Sequence, residues 1–447
     1  MRHLPLLFSA LLLGPALAAE TTAFVNVNVI PMTSDTVVEQ QTVIVSDGVI
    51  RLIASVDDIP IPKDARVIDG TDRFLIPGLA EMHAHVPAAD ADELDRNFSL
   101  YVANGVTTIR GMLGRRSHLA LREKLANGSV FGPRLVTSGP SLNGRSVASA
   151  AEGRQLVREQ HQAGYDFIKI HPGLTAEEFE AIATTANELG IPFAGHVPVA
   201  VGVRRALQLN MATIDHLDGY FAALLPPGSG GSGGYGGFFD VMLAAEIDVD
   251  RISAIADATA AAGTWNVPTE VLVEVRVNAT PVAELLTRPG MQYMPKETLE
   301  QWIAAKETLH AERGFDPKLA SLAVDLRRRL ILALHEAGAG LLLGSDSPQV
   351  FNVPGFSIHD ELDSLVAAGL SPYDALRTGT AAVAEFLGSN TGGVTVGRDA
   401  DLVLLDANPL NDVRHARRIH GVMLRGTWYS AEALDERLSR YVEHNDD

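Results

Sequence analysis

The stretch Ile76-Pro77-Gly78-Leu79-Ala80-Glu81-Met82-His83-Ala84-His85 runs from an apolar segment into two histidines spaced two residues apart. Alternate side chains of a β-strand point to the same face, so we expect the imidazoles of His83 and His85 to lie side by side. Two adjacent imidazoles can chelate one metal ion. Because a His-x-His pair also arises by chance, the rest of the chain decides its meaning.

From Gly78 onward, short apolar segments alternate with amphipathic segments of helix length, which is typical of repeated βα units. A capping box at Thr175 and Glu178 predicts one of the helices, over residues 175–189. Eight such units predict an α/β fold with a closed (β/α)8 TIM barrel. The strand candidates are Gly78–His85, Val106–Arg110, Arg134–Ser138, Phe167–His171, Pro192–His196, Thr213–His216, Thr264–Pro268 and Gly340–Asp346.

The two ends of the chain have β character of a different kind. Residues 20–77 contain β-branched runs broken by turns such as Asp47-Gly48, and β character returns within 391–447. These segments predict a small composite β-sandwich, formed by an N-terminal segment at 20–77 and a C-terminal segment at 391–447 that also carries a final helix. The barrel would occupy 78–390.

Composition limits the classes of function. Hydrophobic residues make up 46% and charged residues 20% of the 447 residues, as in a packed globular protein. The net charge of −19 repels phosphates, so we expect no nucleic-acid partner. Since the chain has no cysteine, any metal must be held by His, Asp, Glu or a modified Lys.

The N-terminus resembles a signal peptide over residues 1–19. A short basic start precedes an apolar run and the small residues of an A-x-A site, which predicts cleavage after Ala18 or Ala19. We therefore expect a periplasmic or secreted protein that has no membrane attachment after cleavage. The sequence leaves homo-oligomer formation open.

Ionisable residues stand at the ends of several later strand candidates. Lys169, His196, His216 and Asp346 each occupy such a position. A barrel brings its strand ends together at the carboxyl-terminal mouth, where catalytic groups are found. Each residue alone also fits a structural role, such as a buried histidine or a helix cap. Their recurrence at the ends of five strands favours a shared site.

These motifs together resemble the amidohydrolase superfamily. Residues 76–85 are similar to its opening strand, Gly344-Ser345-Asp346-Ser347-Pro348 to its closing strand, and residues 397–403 to its return into the β-sandwich. The likeness covers nearly the whole mature chain. It is nearest to the imidazolonepropionase-like group, which includes Xaa-Pro dipeptidases with a binuclear metal centre.

The resemblance implies a ligand set and a reaction. His83, His85 and Asp346 would bind one divalent metal, His196 and His216 a second, and Lys169 would bridge them as N6-carboxylysine. Zinc is the first choice, with manganese and cobalt also suited to these ligands. A metal-bridging hydroxide would cleave an amide or peptide-type C–N bond in a small substrate, such as a dipeptide, an Xaa-Pro dipeptide or an N-acyl amino acid. Asp346 would pass the proton to the leaving nitrogen.

Two alternatives stay open. The first is a mononuclear deaminase or cyclic-amide hydrolase of the same superfamily, in which Lys169 is not a ligand. The second is a non-catalytic binding protein on the same barrel. Metal content separates them, because the expected ratios are two, one and no metals per chain.

Other residues are weaker candidates. The Tyr220 hydroxyl is a candidate for stabilising an oxyanion during catalysis, and His171 for touching substrate. His359 and Glu361 open a predicted helix and favour a structural role, as does His335. The glycine-rich loop 228–237 fits either a surface insertion or a mobile lid. Cations for a substrate carboxylate are available in the early βα loops, at Arg110, Arg115 and Arg145.

Overall fold

The structure is a computed structural model that describes residues 21–88, 91–228, 238–312 and 314–442. The predicted signal peptide with its cleavage sites and residues 229–237 of the glycine-rich loop lie outside these ranges. Within them, no helix has both the length and the apolar character needed to cross a bilayer.

Both ends of the chain contribute to one eight-stranded sheet, whose order is β15-β14-β13-β5-β1-β2-β3, with β4 also paired to β1. The two terminal segments share this one sheet, and the composite β-sandwich predicted from the sequence stays a prediction. Its strands are β1 (Thr22–Val29), β2 (Val38–Ser46), β3 (Val49–Ser55), β4 (Arg66–Asp69), β5 (Phe74–Pro77), β13 (Leu402–Leu405), β14 (Ile419–Leu424) and β15 (Thr427–Ser430).

Local sequence explains how this sheet forms. Asp47 and Gly48 both have positive φ values, 54° and 69°, as a two-residue hairpin turn between β2 and β3 requires. Strand β13 pairs antiparallel with β5, with Leu402 opposite Pro77. Strand β5 ends at Pro77 and the next strand begins at Leu79, so the chain passes directly from this sheet into the βα region.

Seven regular strands of the described chain follow the predicted βα series, in two parallel sheets ordered β6-β7-β8 and β12-β11-β10-β9. Their side chains are almost all buried on both faces, as expected for parallel strands covered by helices. The strands are β6 (Leu79–Ala84), β7 (Val106–Gly111), β8 (Arg134–Thr137), β9 (Ile168–Ile170), β10 (Phe193–Gly195), β11 (Thr213–Asp215) and β12 (Trp265–Val267).

The eighth predicted strand, Gly340–Asp346, is not a regular strand. Among the described residues it pairs with its neighbours through isolated parallel bridges, between Leu341 and Asn266 on one side and Ser347 and Ala84 on the other. The Leu343 carbonyl also accepts a hydrogen bond from the Met82 N–H at 2.9 Å. The reason is local: the backbone N–H of Ser345 donates to the Glu81 carboxylate instead of to a neighbouring strand. A further bridge joins the two parallel sheets, and a continuous closed barrel stays a prediction.

Helices follow most of the strands, and several of them begin at a side-chain cap. The predicted capping box is confirmed: Thr175 and Glu178 cap the helix that begins at Ala176, and Gly190 ends it in the left-handed conformation. The helices are α1 (Ala91–Ala103), α2 (Arg116–Ala126), α3 (Ala150–Ala163), α4 (Ala176–Leu189), α5 (Gly202–Gln208), α6 (Tyr220–Leu224), α7 (Ile252–Ala262), α8 (Glu270–Val277), α9 (Val282–Leu285), α10 (Lys296–Ala311), α11 (Pro317–Glu336), α12 (Phe356–Ala367), α13 (Pro372–Thr378), α14 (Ala381–Leu387) and α15 (Ala431–Ser439).

Two residues expected to be structural do hold backbone in place. His359, in the first turn of α12, contacts the carbonyl of Asn104 through its Nε2 at 3.1 Å. The buried carboxylate of Glu361 accepts hydrogen bonds from the N–H groups of Glu270 at 3.0 Å and Val271 at 2.8 Å, so it caps the start of α8. This contact fixes the segment that follows β12.

Replacing Glu361 with Gln is expected to lower the free energy of unfolding by about 1.5–3 kcal/mol, because a side-chain amide nitrogen then faces a buried backbone N–H. Urea unfolding measures this loss. The control Glu336→Gln changes an exposed carboxylate at the end of α11 and is expected to stay within about 0.5 kcal/mol of the wild type. Equal losses in both variants would contradict the capping role.

Candidate metal centre

The structure brings the predicted ligands together at the carboxyl ends of the strands. His83 lies near the end of β6, Lys169 in β9, and His196 and His216 directly after β10 and β11. The ring centroids of His83 and His216 are 4.5 Å apart, and those of His196 and His216 are 4.6 Å apart. Residues distant in sequence therefore form one cluster.

Three members of this cluster have the geometry of a metal site. His83, His85 and Asp346 each offer a ligand atom, and these atoms lie within 4.8 Å of one another. His85 Nε2 is 2.8 Å from Asp346 Oδ1, yet this oxygen has no hydrogen-bond partner within the described chain. Ligand atoms that lie close together without hydrogen bonds between them leave their lone pairs available for a shared cation.

Neighbouring oxygens hydrogen-bond to two of the histidines and lie close to a third. The Nδ1 atom of His196 lies 2.6 Å from a carboxylate oxygen of Asp218, and that of His216 lies 2.8 Å from the Thr269 hydroxyl. His83 Nδ1 is 3.1 Å from Asp215 Oδ2. Metal-binding histidines characteristically present one nitrogen to the metal and the other to such a partner. Here the arrangement leaves each Nε2 for the metal.

Burial keeps two of these histidines neutral. It holds the pKa values of His83 and His216 well below the ordinary histidine value, and the neighbouring positive charge of Lys169 lowers both further. Neutral imidazole is the form that binds metals. The same causes lower the pKa of His171 to about 2.

Lys169 is the least expected of these side chains in a protein interior. It is 1% exposed, and its Nζ has no hydrogen-bond partner within the described residues. Burial lowers its pKa, although Asp215 and Asp346 act against that shift. A side chain at Gly195 would place its Cβ only 2.9 Å from Lys169 Nζ, so this glycine makes room for the lysine.

Asp215 was missed as a site residue. One of its oxygens lies 3.3 Å from Arg110 Nη2, and the other lies 3.1 Å from His83 Nδ1 and 3.7 Å from Lys169 Nζ. Burial tends to raise its pKa, but Arg110 and Lys169 outweigh burial and lower it. This buried carboxylate therefore links two metal-ligand candidates to one guanidinium.

One interpretation of the sequence made Arg110 a cation for a substrate carboxylate at the mouth of the barrel. The structure corrects this, because Arg110 is buried. It is 1% exposed and donates to the Met82 carbonyl, the Thr213 hydroxyl and the Asp215 carboxylate. These partners hold it beneath the ligands. Arg115 is exposed at the start of α2.

Glu81 was also missed. Its buried carboxylate accepts hydrogen bonds from the backbone N–H groups of His83 at 2.8 Å and Ser345 at 2.9 Å. Burial raises its pKa to about 8. Because it holds both chain segments, Glu81 sets the spacing between His83 and Asp346. Its place two residues before His83, in a buried strand, was the available signal.

The structure does not bring Tyr220 into the cluster as an oxyanion partner. It is fully buried in α6, and its hydroxyl is 3.0 Å from that of Thr259 and donates to Asn266 Oδ1 at 2.8 Å. Burial raises the pKa of the Tyr220 hydroxyl above the ordinary tyrosine value, which is already well above physiological pH. A hydroxyl already held between two buried partners does not fit a catalytic role. Likewise, His335 remains a helix residue, 3.6 Å from Asp374.

A cavity of about 530 Å³ lies beside the residues that follow β9. Arg145 and His171 line it, and the His171 ring is stacked 4.9 Å from that of His196. On another side, the ring of Phe239 stacks on His216 at 5.0 Å. The cluster is therefore partly covered and bordered by a space with a positively charged side chain.

The donor set fits divalent metal ions. Within the described chain the cluster combines neutral imidazoles, a carboxylate with one oxygen that accepts no hydrogen bond, and a buried lysine nitrogen. Two of its histidines are hydrogen-bonded to a supporting oxygen. These features are those of a candidate metal site at the carboxyl ends of parallel strands, a place where metal-dependent hydrolases carry their ligands.

The chain belongs to the amidohydrolase family, whose model matches residues 74–429. The family membership predicted from the sequence is thus confirmed, as are the α/β fold and the general activity of a hydrolase acting on C–N bonds. Members of this family generally use divalent metals and act on small amide substrates.

Individual similar proteins share the fold at low identity. The ochratoxinase of Aspergillus niger is 23% identical over 409 residues, covering 83% of this chain and 78% of its own. A bottromycin amidohydrolase structure superposes with a TM-score of 0.72 at 24% identity, covering 94% of this chain and 90% of its own. A Xaa-Pro dipeptidase with bound methionine gives a TM-score of 0.66 at 18% identity, covering 92% and 100%.

Replacing Asp215 with Asn is expected to weaken metal affinity by about 10–100-fold, because the variant removes the charge that supports His83 and Lys169. Competition against a chelator measures this affinity. The control Asp257→Asn neutralises an exposed carboxylate on α7 and should leave the affinity at the wild-type value. Unchanged affinity in the Asp215 variant would show that this carboxylate does not support the centre.

Proposed function

We propose that the protein is a binuclear metal-dependent amidohydrolase that cleaves the C–N bond of a dipeptide, an Xaa-Pro dipeptide or an N-acyl amino acid. Two divalent metals, zinc first, would be held by His83, His85, Lys169, His196, His216 and Asp346. The observation that carries the proposal is the convergence of these side chains around a buried lysine nitrogen that has no hydrogen-bond partner within the described chain.

Carboxylation of Lys169 accounts for its burial. A buried ammonium without a hydrogen bond among the described residues is costly even with an Asp215 oxygen 3.7 Å away. A neutral amine can instead react with carbon dioxide and release a proton to give a carbamate. The lowered pKa of Lys169 favours that neutral amine. The carbamate would present two anionic oxygens to the histidine cluster, as a bridge between two cations requires.

When bound, the metal pair would supply a hydroxide nucleophile near neutral pH and polarise the scissile carbonyl. Asp346 is placed to move the proton. Its Oδ1 is buried, lies among the histidines and has no hydrogen-bond partner among the described residues. With Oδ1 left for the metal, the second carboxylate oxygen of Asp346 would accept the proton of the attacking water and deliver it to the leaving nitrogen.

Substrate recognition is assigned to the cavity beside His171. Arg145 is its positively charged lining residue, so it would bind the substrate carboxylate. Arg276 in α8 is a second cation, and the negative charge of Asp346 acts on it. The names of the similar proteins, among them a dipeptidase and an amidohydrolase, support an amide-type substrate.

One observation favours the mononuclear alternative. The ligand group of closest geometry contains only His83, His85 and Asp346 among the described residues. A single metal there, with Lys169 left unmodified, would suit a deaminase or a cyclic-amide hydrolase. The non-catalytic alternative would bind no metal at all.

We further propose the closed (β/α)8 barrel, the composite β-sandwich and export to the periplasm or outside the cell. The isolated bridges at Leu341 and Ser347 support closure. The composition of residues 1–19 supports export, and a protein cleaved after Ala18 or Ala19 is the expected mature form.

Replacing Lys169 with Ala is expected to abolish amide hydrolysis and to reduce the metal content from two ions per chain. Elemental analysis and ¹³C NMR after incubation with labelled bicarbonate measure the metals and the carbamate of the wild type. The control Lys124→Ala removes an exposed lysine of α2 and should keep both metals. Full activity with two metals in the Lys169 variant would refute the proposal, and one metal in the wild type would support the mononuclear enzyme.

The substrate class is tested by screening the metal-loaded protein against dipeptides and N-acyl amino acids, each paired with its C-terminal amide. Cleavage of the free acids in preference to the amides is expected, because the carboxylate is the group that Arg145 would bind. Equal cleavage of the free acids and of their C-terminal amides would contradict the role of Arg145 in binding the substrate carboxylate.

A further inference from the structure

A second cavity lies at the opposite end of the strands. It has a volume of about 600 Å³ and is lined by residues in or just before strands β8 to β12, by two side chains of β7, and by the end of α14 with the residues that follow it. We call it the lower cavity. Its characteristic wall residues are Arg110, Phe167, Ala194, Ala212, Trp265 and Phe386. None of them is a metal-ligand candidate.

The lower cavity has a buried cation at its inner end. Arg110 has five N–H donors, and its acceptors within the described chain are the Met82 carbonyl, the Thr213 hydroxyl and Asp215 Oδ1. Three acceptors leave two donors for another group. The guanidinium also lies 5.5 Å from the ring centroid of Phe167 and 5.7 Å from that of Phe386, so aromatic rings flank the charge.

The other ionisable wall residues are already paired. Arg134 contacts Asp399 at 3.2 Å and Asp401 at 2.5 Å. Asp166 accepts a hydrogen bond from the Thr137 N–H at 2.7 Å and contacts Arg122 at 2.9 Å. Arg110, by contrast, has one carboxylate partner in the described chain, Asp215, which it shares with His83 and Lys169.

We propose that the lower cavity is a binding site for a small aromatic monocarboxylate. The carboxylate would bind the two remaining N–H donors of Arg110, and the ring would pack among Phe167, Trp265 and Phe386. A charged donor and an aromatic wall recognise this combination, because the anion compensates the buried cation while the ring stays out of water. The Arg110–Asp215 pair lies between this site and the metal ligands, so the bound carboxylate would contact Arg110 without contacting a ligand.

The probe is 4-fluorobenzoate, titrated into the metal-loaded protein and followed by ¹⁹F NMR. The uncharged isostere 4-fluorobenzamide is titrated in parallel. Benzoate is expected to bind at least about tenfold more tightly than benzamide, because it alone makes charged hydrogen bonds to Arg110. Equal affinities, or no binding of benzoate, would overturn the proposal without any variant.

Variants that fill the lower cavity distinguish benzoate binding there from benzoate binding at the metal centre, where a carboxylate can also bind a metal. Ala212→Trp and Thr391→Trp place an indole in the cavity from different elements. Ala126→Trp adds one to an exposed position at the end of α2. Filled variants whose thermal unfolding matches the wild type should lose at least about tenfold in benzoate affinity, and Ala126→Trp should lose none. Wild-type affinity in a folded filled variant would place the binding elsewhere and contradict the proposal.

Discussion

The buried carboxylate of Asp215 is the contact on which the centre depends. It has no exposed surface, and its two oxygens have different neighbours, Arg110 for one and His83 and Lys169 for the other. A buried charge persists only when opposite charges and hydrogen bonds compensate it. Arg110 and the Thr213 hydroxyl supply that compensation, so Asp215 can remain anionic beside the ligands.

A second set of buried contacts holds the backbone around the ligands. Arg327 of α11 donates to the carbonyl groups of His216 and Pro268 at 2.8 and 3.0 Å, and to the Glu270 carboxylate at 2.7 Å. Glu361 fixes the start of α8, the helix that Glu270 begins. The backbone that carries His216 is therefore held by buried charged groups, and rigid support of this kind keeps metal ligands in place.

The candidate metal ligands could be proposed from the sequence because each one lies at the end of a predicted strand. His83, Lys169, His196, His216 and Asp346 were recognisable because ionisable residues recur where parallel strands finish. The family, the α/β fold and the capping box of α4 were predicted for similar reasons of pattern.

Other features depended on contacts that the sequence does not display. Asp215 and His216 are adjacent, and alternation would place them on opposite faces. Both are nevertheless buried in the cluster, because His216 has a φ of 61° and breaks the alternation. Asp346 also has a φ of 61°, at the end of a segment that was predicted to be a regular strand. The burial of Arg110 follows from partners on β6 and β11, which lie far away in the sequence.

The central claim is a two-metal centre that Lys169 bridges. Anomalous diffraction at the zinc edge from crystals of the zinc-loaded protein tests it most directly. The account predicts two peaks, one beside His83, His85 and Asp346 and one beside His196 and His216, with density for a carboxylated Lys169 between them. A single peak with an unmodified lysine, or no peak within the cluster, would contradict it.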